Sequence, residues 1–362
     1  MIRSRTRQTS MNINTDPLRA ADVFSSTSAL RHAFERRLIE LLEQDELGVF
    51  ILVLANASFE RSTFDRLHQP LASTFARWVE RLESGDRLAL AAPADDVEVF
   101  KRLRRLGFER LAVTRWRRLG PWEVQFNQLR ALRPPRASHA VIERLNKPFD
   151  PGGFHFDKPF LRKEIFWEGE LAGAPVRLLY NKFPFAELHG LLVPHPGGGR
   201  PQFLTAEDHA LVWETALQLG QHLPGLGFGY NAYGAYASVN HLHFQMFMRS
   251  SGRYAIESPH WHHNAGSEPY PLPVRRYCDR RSAWQALHGL HAVGHAYNLL
   301  YRPGAVYVVE RAMQGSYVHS GWTEGFAWSE LAGTITTSDP GEFERLSEED
   351  LRAEFGRLAV RP

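Results

Sequence analysis

Two histidines and a glutamine occupy alternate positions in the stretch Val239-Asn-His-Leu-His-Phe-Gln-Met-Phe247. Side chains on a β-strand point alternately to its two faces, so a strand here would place His241, His243 and Gln245 on one face, with neighbours about 7 Å apart. The residues between them are apolar and would pack in the core. The sequence therefore predicts a polar row that faces a cleft.

Three interpretations of this row remain open from the pattern alone. The first is a surface strand without catalytic function. The second is a metal site, because a His-x-His spacing lets two imidazoles bind one zinc or iron ion. The third is nucleophilic catalysis, in which a neutral imidazole attacks a phosphoryl group and forms a covalent phosphoramidate. The metal site needs a third ligand, for which the candidates are His260, His262, His263 and Glu257.

The elements that must position these residues fall into two regions. Residues 1–22 are polar and predict a flexible tail. Residues 23–119 predict an N-terminal α/β segment of unknown role, without a catalytic motif. Its elements are helices over 28–44, 70–82 and 95–106 and strands over 48–54, 88–91 and 111–116. Residues 120–362 combine short strands with scattered helices, which indicates an α+β domain with a mainly antiparallel sheet. One of these helices is predicted over Thr205–Leu219, with Thr205 as its N-cap.

Composition limits the class of protein. The chain has 362 residues, with 43 Lys and Arg against 40 Asp and Glu, so its net charge of +3 is small for a nucleic-acid-binding protein. The sequence has no apolar run of the length that spans a membrane. Its single cysteine, Cys278, excludes a disulfide framework and multi-cysteine metal sites. A reducing, cytoplasmic location is expected.

The basic residues are nevertheless concentrated between Lys101 and Arg136, a stretch that contains eleven of them and only two acidic residues. Such a patch could contact the phosphates of a nucleotide or polynucleotide. The alternative is a solvated surface that pairs with acidic segments such as Glu342–Glu354, and we favour this alternative.

Upstream of the polar row, Asn181-Lys-Phe-Pro184 is followed by His189 and by the apolar stretch Gly190-Leu-Leu-Val-Pro194. With this context the sequence resembles the histidine-triad superfamily. Gln245 stands where hydrolases of that superfamily usually have a third histidine. The chain therefore resembles the galactose-1-phosphate uridylyltransferase branch, and Ser238 and Asn231 match that branch as well.

The stretch Gly227–Gln245 is similar to the core signature of the GDP-hexose phosphorylases, which include GDP-L-galactose and GDP-D-glucose phosphorylases. Phe126–Arg130, Pro148–Phe156 and Trp328–Gly333 are similar to the same family, in the same order. The resemblance implies a mainly antiparallel sheet with flanking helices, built from two histidine-triad-like halves over residues 120–362. The second, degenerate half would contain Tyr297–Tyr301.

The resemblance also implies roles for particular residues. His243 would be the nucleophile that forms a nucleotidyl-histidine, and His241 would orient the neighbouring ring or bind phosphate. Gln245 would donate its amide NH₂ to a phosphoryl oxygen. Further expected contacts to the substrate are Asn181, His189, Asn231, Ser238, Asn240 and Glu330.

The implied reaction cleaves a nucleoside-diphosphate hexose, most simply a GDP-hexose, with phosphate, and yields hexose 1-phosphate and GDP. It requires no metal and no cofactor. The expected partners are the nucleotide sugar and phosphate, with no nucleic acid and no membrane, and a homodimer is compatible with the superfamily. The alternatives are a dinucleoside-polyphosphate phosphorylase, a UDP-hexose uridylyltransferase and a His-x-His metal-dependent enzyme.

Overall fold

A large antiparallel sheet, a small second sheet and a helical N-terminal segment make up the protein. The computed structural model describes residues 19–133, 141–250 and 252–360. The α-helices in these ranges are Ala20–Phe24 (α1), Thr27–Leu42 (α2), Leu47–Ala57 (α3), Arg61–Ser84 (α4), Arg87–Ala91 (α5), Ala94–Leu106 (α6), Gln128–Ala131 (α7), Ala206–Gly220 (α8), Arg280–Val293 (α9), Trp328–Ala332 (α10), Pro340–Arg345 (α11) and Glu348–Arg357 (α12). The strands are Arg115–Leu119 (β1), Trp122–Phe126 (β2), Ile165–Leu171 (β3), Ala174–Tyr180 (β4), Glu187–Pro194 (β5), Leu226–Asn231 (β6), Phe244–Met248 (β7), Val274–Tyr277 (β8), Ala296–Arg302 (β9), Ala305–Arg311 (β10) and Thr334–Thr337 (β11).

The large sheet has eight strands in the order β3-β4-β5-β7-β6-β9-β10-β8. Each neighbouring pair in it is antiparallel. The predicted α+β class with a mainly antiparallel sheet is therefore confirmed. The small sheet has the order β1-β2-β11, with β11 parallel to β2. Strands β9 and β10 continue the large sheet, and a division into two histidine-triad-like halves stays a prediction.

Helix α8 shows how the local sequence builds the scaffold behind the sheet. The Thr205 hydroxyl accepts from the backbone N–H of Asp208, and the Asp208 carboxylate accepts from the backbone N–H of Thr205. This capping box fixes the first turn of the helix. Leu211, Val212 and Ala216 are buried on one side of α8. The helix predicted over Thr205–Leu219 is thus confirmed.

Two of the three strands predicted for the N-terminal segment are wrong, because α-helices are its regular elements from Ala20 to Leu106; the third, over 111–116, overlaps β1 at residues 115 and 116. The predicted strand over 48–54 lies inside α3, and the one over 88–91 forms α5. Nearly all residues of α3 are buried. A helix without a polar face has no 3.6-residue pattern, so its apolar run resembles a buried strand. Of the predicted tail, residues 1–18 lie outside the described ranges, and α1 begins at Ala20.

The N-terminal helices hold the chain segment that precedes β5. The Tyr180 hydroxyl donates to the carbonyl of Phe34 in α2 at 2.6 Å. Asn56 of α3 donates to the carbonyl of Asn181 at 3.0 Å. Lys182 forms an ion pair with Asp96 of α6 at 2.6 Å. The helical segment therefore supports the turn that leads to His189. Among the described helices, none is both long and apolar enough to cross a bilayer.

Candidate active site

The segment that contains the two histidines is irregular before it becomes a strand. A strand was predicted over residues 239–247, but β7 begins only at Phe244. The buried side chain of Gln202 replaces the strand hydrogen bonds at His243. Its Oε1 accepts from His243 N at 2.9 Å, and its Nε2 donates to His243 O at 3.3 Å. The Gln202 amide thus fixes the backbone at the predicted nucleophile.

His243 is held as a neutral imidazole with one defined tautomer. Its Nδ1 lies 2.8 Å from the backbone carbonyl oxygen of His241. A carbonyl oxygen can only accept, so Nδ1 carries the proton and Nε2 keeps its lone pair. Burial lowers the pKa of His243 from 6.5 to about 4, because the charged imidazolium loses its hydration. Among the described residues, no hydrogen bond to Nε2 of His243 is formed. The ring is therefore a neutral nitrogen nucleophile at neutral pH.

His241 has the opposite tautomer. The backbone N–H of Phe156 donates to its Nδ1 at 3.1 Å, so the proton lies on Nε2. This Nε2 faces a carboxylate oxygen of Asp157 at 3.5 Å. Burial lowers the pKa of His241 to about 4 although Asp157 opposes the shift. The carboxylate has a limited effect because it already pairs with Arg177 at 2.9 Å. The His241 side chain is thus held by Phe156 N and faces Asp157, while its carbonyl orients the His243 ring.

The side-chain amide of Gln245 has an orientation that its neighbours determine. The indole N–H of Trp328 donates to Gln245 Oε1 at 2.8 Å. His189 Nδ1 accepts from the backbone N–H of Phe185 at 3.3 Å, so His189 Nε2 carries a proton. That nitrogen lies 3.1 Å from the same Gln245 Oε1. Two donors on Oε1 leave the NH₂ group free to donate elsewhere. This arrangement suits the predicted contact to a phosphoryl oxygen.

A glycine makes this arrangement sterically feasible. Gly229 of β6 pairs directly with Gln245 of β7. A Cβ atom at Gly229 would lie 2.2 Å from the indole of Trp328. The missing side chain lets the indole lie over the strand, where it also stacks on Phe247 with 4.7 Å between ring centroids. Gly229 therefore allows Trp328 to reach Gln245.

His189 and Asn181 lie together, and their predicted contact with the nucleotide stays a prediction. His189 is fully buried, and burial together with the positive charge of Arg130 lowers its pKa to about 3. The Asn181 amide nitrogen lies 3.3 Å from His189 Nε2, and its Oδ1 accepts from Phe183 N at 3.1 Å. Asn181 therefore contacts His189, which in turn contacts Gln245.

The other predicted contacts have structural partners or lie outside this group. Asn231 Oδ1 accepts from Asn298 at 2.7 Å and from the backbone N–H of Trp328 at 2.9 Å. Asn240 accepts from Gln202 N and donates to the carbonyls of residues 147 and 148. Ser238 is exposed. Their roles in substrate binding stay predictions.

Glu330 lies in the short helix α10, where its carboxylate accepts from the backbone N–H of Ala327 at 3.0 Å. It thus stabilises the first turn of the helix that carries Trp328. A contact to sugar hydroxyls stays a prediction for this residue.

Three residues at the site were not among the predicted site residues. They are Asp157, which faces His241, Trp328, which holds Gln245, and Arg130, whose guanidinium lies 5.0 Å from the Phe185 ring beside His189. Trp328 and Arg130 lie in stretches that resemble the GDP-hexose phosphorylases, and Asp157 directly follows such a stretch. The similarity of those stretches was the available signal. No feature of the sequence showed which atoms they contact.

The additional ligands that a metal site would need do not approach the two histidines. His262 and His263 bind the carbonyls of Ser267 and Ile256 at 2.7 Å each. His260 contacts the Ser258 hydroxyl at 2.6 Å, and Glu257 pairs with Arg302 at 2.9 Å. Within the described ranges, no three His, Cys, Asp or Glu side chains are grouped closely enough to hold a metal ion.

Part of the chain is similar to proteins of a known family. Residues 122–247 match the family model of the GDPGP1-like N-terminal domain. That range contains His189, the two histidines and Gln245. The predicted resemblance to the GDP-hexose phosphorylases is therefore confirmed for this part of the chain.

Particular relatives agree with the family model. A GDP-D-glucose phosphorylase 1 from Macaca fascicularis is 36% identical over 110 residues, which is 28% of this chain and 28% of the relative. The Danio rerio protein of that name is 32% identical over 135 residues, which covers 37% of this chain and 38% of the relative. A GDP-L-galactose phosphorylase 2 from Arabidopsis thaliana is 26% identical over 142 residues, which covers 34% of this chain and 32% of the relative. The chain thus aligns with only about a third of these relatives' length.

A solved structure also resembles the chain. Yeast Ap4A phosphorylase Apa2 in complex with Ap4A has a TM-score of 0.47 and 14% sequence identity, covering 73% of this chain and 97% of that chain.

Proposed function

We propose that this protein is a GDP-hexose phosphorylase. Nε2 of His243 attacks the α-phosphorus of the GDP-hexose, the bond to the bridging oxygen breaks, and hexose 1-phosphate leaves. Inorganic phosphate then attacks the guanylyl-His243 phosphorus and releases GDP. The observation that carries this proposal is the hydrogen bond from His243 Nδ1 to the carbonyl of His241, at 2.8 Å.

This hydrogen bond serves both halves of the reaction. Before attack it keeps the lone pair on Nε2. When Nε2 binds phosphorus, the ring becomes cationic, and the carbonyl dipole stabilises the new charge at Nδ1. Burial keeps the free ring neutral, because the pKa of His243 lies at about 4. The nucleophile is therefore available without a separate base.

Gln245 supplies the complementary interaction on phosphorus. Its NH₂ group is left free by the two donors on Oε1, so it can donate to a non-bridging oxygen on which negative charge increases. A neutral amide carries no proton to give to the leaving group. This supports transfer to phosphate rather than rapid hydrolysis. The single cysteine suits a reducing compartment, and we place the reaction in the cytoplasm.

The test is to trap the intermediate. Incubation of the full chain with GDP-glucose or GDP-L-galactose in the absence of phosphate should add one guanylyl group to His243. The adduct should be acid-labile and base-stable, and it should be lost from the His243→Ala variant. Addition of phosphate should release GDP from the adduct. Normal turnover by His243→Ala would overturn the proposal, and faster turnover of Ap4A or UDP-glucose would reassign the substrate.

A further inference from the structure

A second cleft lies at the other end of β5 and β7, away from the histidine site. It has a volume of about 1020 Å³ and is lined by the start of α4, by β1, by the first residues of β5 and by the end of β7. His241, His243 and Gln245 do not line it. Its size is that of a small-molecule site. Two of its walls, α4 and β1, precede the residues that match the family model.

One wall of this cleft is aromatic. Trp116 is 46% exposed, which is high for an indole in a concave surface. Its ring meets Phe59 edge to face, with 6.1 Å between centroids. Both residues line the cleft, together with Phe185 and Tyr254. The indole therefore offers a fixed face on which a flat ring can stack.

The neighbouring surface is suited to an anion. Arg118 lies two residues after Trp116 on β1, so the two side chains share a face about 7 Å apart. Arg118 forms no ion pair within the described part of the chain. The 24-residue helix α4 begins at Arg61 in the cleft wall, and no side chain caps its first turn. Its free N–H groups and the helix dipole favour negative charge.

Each acidic residue that lines the cleft has a cationic partner, and Asp65 pairs with Arg61 at 3.6 Å. Arg31 bridges Glu60 and Glu187, and Arg249 pairs with Glu123 at 2.6 Å. These ion pairs leave Arg118 without an ionic partner of its own among the described residues, although Glu123 lies opposite it on β2.

A buried hydroxyl in the lining gives a second, independent indication of a ligand. Thr334 lines the cleft and is only 2% exposed. Its Oγ1 has no hydrogen-bond partner among the residues that the structure describes. A buried hydroxyl without a partner is destabilising, and a polar ligand in the cleft would satisfy it.

We propose that this cleft binds a nucleoside phosphate. Its base stacks on Trp116, and its phosphate lies between Arg118 and the amino end of α4. This site gives a function to the basic β1 strand and to the N-terminal helical segment. It does not depend on the reaction proposed at His243.

The test uses ¹⁹F NMR of the full chain labelled with 5-fluorotryptophan. The resonance of Trp116 is assigned by its loss in Trp116→Phe, and that of Trp328 by its loss in Trp328→Phe. ADP, GDP and UDP are titrated separately, with pyrophosphate as the probe without a base. The expected result is a saturable shift of the Trp116 resonance with at least one nucleoside diphosphate. The affinity calculated from this shift should differ from the affinity calculated from any shift of the Trp328 resonance.

Arg118→Ser should weaken the affinity read at Trp116 by roughly tenfold, since it removes a charged hydrogen-bond donor. The matched control is Arg105→Ser, an exposed arginine of the same basic stretch that does not line the cleft. It should leave the affinity unchanged. A Trp116 resonance that responds to none of the three nucleotides would overturn the proposal. So would an unaltered affinity in Arg118→Ser, or pyrophosphate binding as tightly as the nucleotides. Because Trp116 and Trp328 report separately, failure at one site is distinguishable from failure at the other.

Discussion

The histidine site and the second cleft differ in the charge of their side chains: the histidines are neutral, whereas the residues around the cleft are charged. In the histidine site, burial keeps the pKa of His189, His241 and His243 low, and hydrogen bonds decide which ring nitrogen carries the proton. Around the cleft, arginine and glutamate side chains are fully charged and form ion pairs, such as Arg31 with Glu60. A substitution in the first region should therefore change a rate, whereas one in the second should change stability or affinity.

The strongest test of this contrast is His243→Ala. Loss of the nucleophile should lower kcat/KM for GDP-hexose phosphorolysis by at least about 10³-fold, since His189 and His241 both carry the proton on Nε2 and cannot replace it. Binding of GDP by calorimetry should persist. The control His222→Ala removes an exposed histidine at the end of α8 and should leave both quantities unchanged. If GDP binding disappeared with turnover, the variant would have lost its fold rather than its nucleophile.

Arg31→Met tests the charged region. The guanidinium joins Glu60 of the α4 N-cap to Glu187 of β5, and burial already raises the pKa of Glu60. Removal leaves two partly buried carboxylates without a cation, so the free energy of unfolding should fall by roughly 2 kcal/mol. Urea denaturation measures this value.

The control for that prediction is Arg36→Met. Its pair with Glu40 spans 3.7 Å and is more than one third exposed on both sides. The loss should therefore be within about 0.5 kcal/mol. Equal losses in the two variants would mean that Arg31 contributes nothing beyond an exposed ion pair.

Trp328→Phe tests how the histidine site orients the Gln245 side-chain amide, its hydrogen-bond donor. The phenyl ring keeps the stacking on Phe247 but lacks the N–H that binds Gln245 Oε1. The amide can then rotate, so kcat should fall by roughly tenfold while KM changes by less than about twofold. Trp322→Phe, at a half-buried ring outside this network, is the matched control. An unchanged kcat would show that His189 alone orients Gln245.

The two regions also differ in how far the sequence predicts them. The alternation of His241, His243 and Gln245 with apolar residues is a local pattern that predicted one strand with a polar row facing a cleft, whereas β7 begins only at Phe244 and both histidines are buried. The tautomer of His241 depends on Phe156, and the backbone at His243 is fixed by Gln202; both partners are distant in the chain. No local pattern encodes such contacts.

The N-terminal segment shows a different limit. Helix α2 was predicted because one of its faces is polar. Helix α3 was predicted as a strand because it is buried on nearly every side, so its sequence contains no period. The cleft was not predicted at all, since it forms between elements that are far apart in sequence. The basic residues between Lys101 and Arg136 had offered a contact with phosphate, but pairing with acidic segments such as Glu342–Glu354 was favoured, and Arg115 does pair with Glu344.

The pH dependence should show the smallest effect. With a pKa of about 4, His243 stays neutral at pH 5.5, so the single-turnover rate of guanylyl transfer should change by less than about twofold between pH 7.5 and 5.5. If the pKa of the histidine had its ordinary value of 6.5, the neutral fraction and with it the rate would fall about tenfold over this range. Rapid-quench measurement without phosphate isolates the step. A tenfold decline with an apparent pKa near 6.5 would contradict the neutral, buried nucleophile.

Stability should respond to pH in the range where this rate does not. The unfolded chain binds protons on these histidines below about pH 6.5, whereas the folded protein resists protonation until about pH 4. The free energy of unfolding should therefore decrease as the pH falls through this window, by up to about 1.4 kcal/mol per pH unit for each histidine. Above pH 7 these groups contribute no slope. Urea denaturation at pH 7.5, 6.5 and 5.5 should show this loss, and His243→Asn should reduce it, because the variant removes one of the buried imidazoles that must stay neutral.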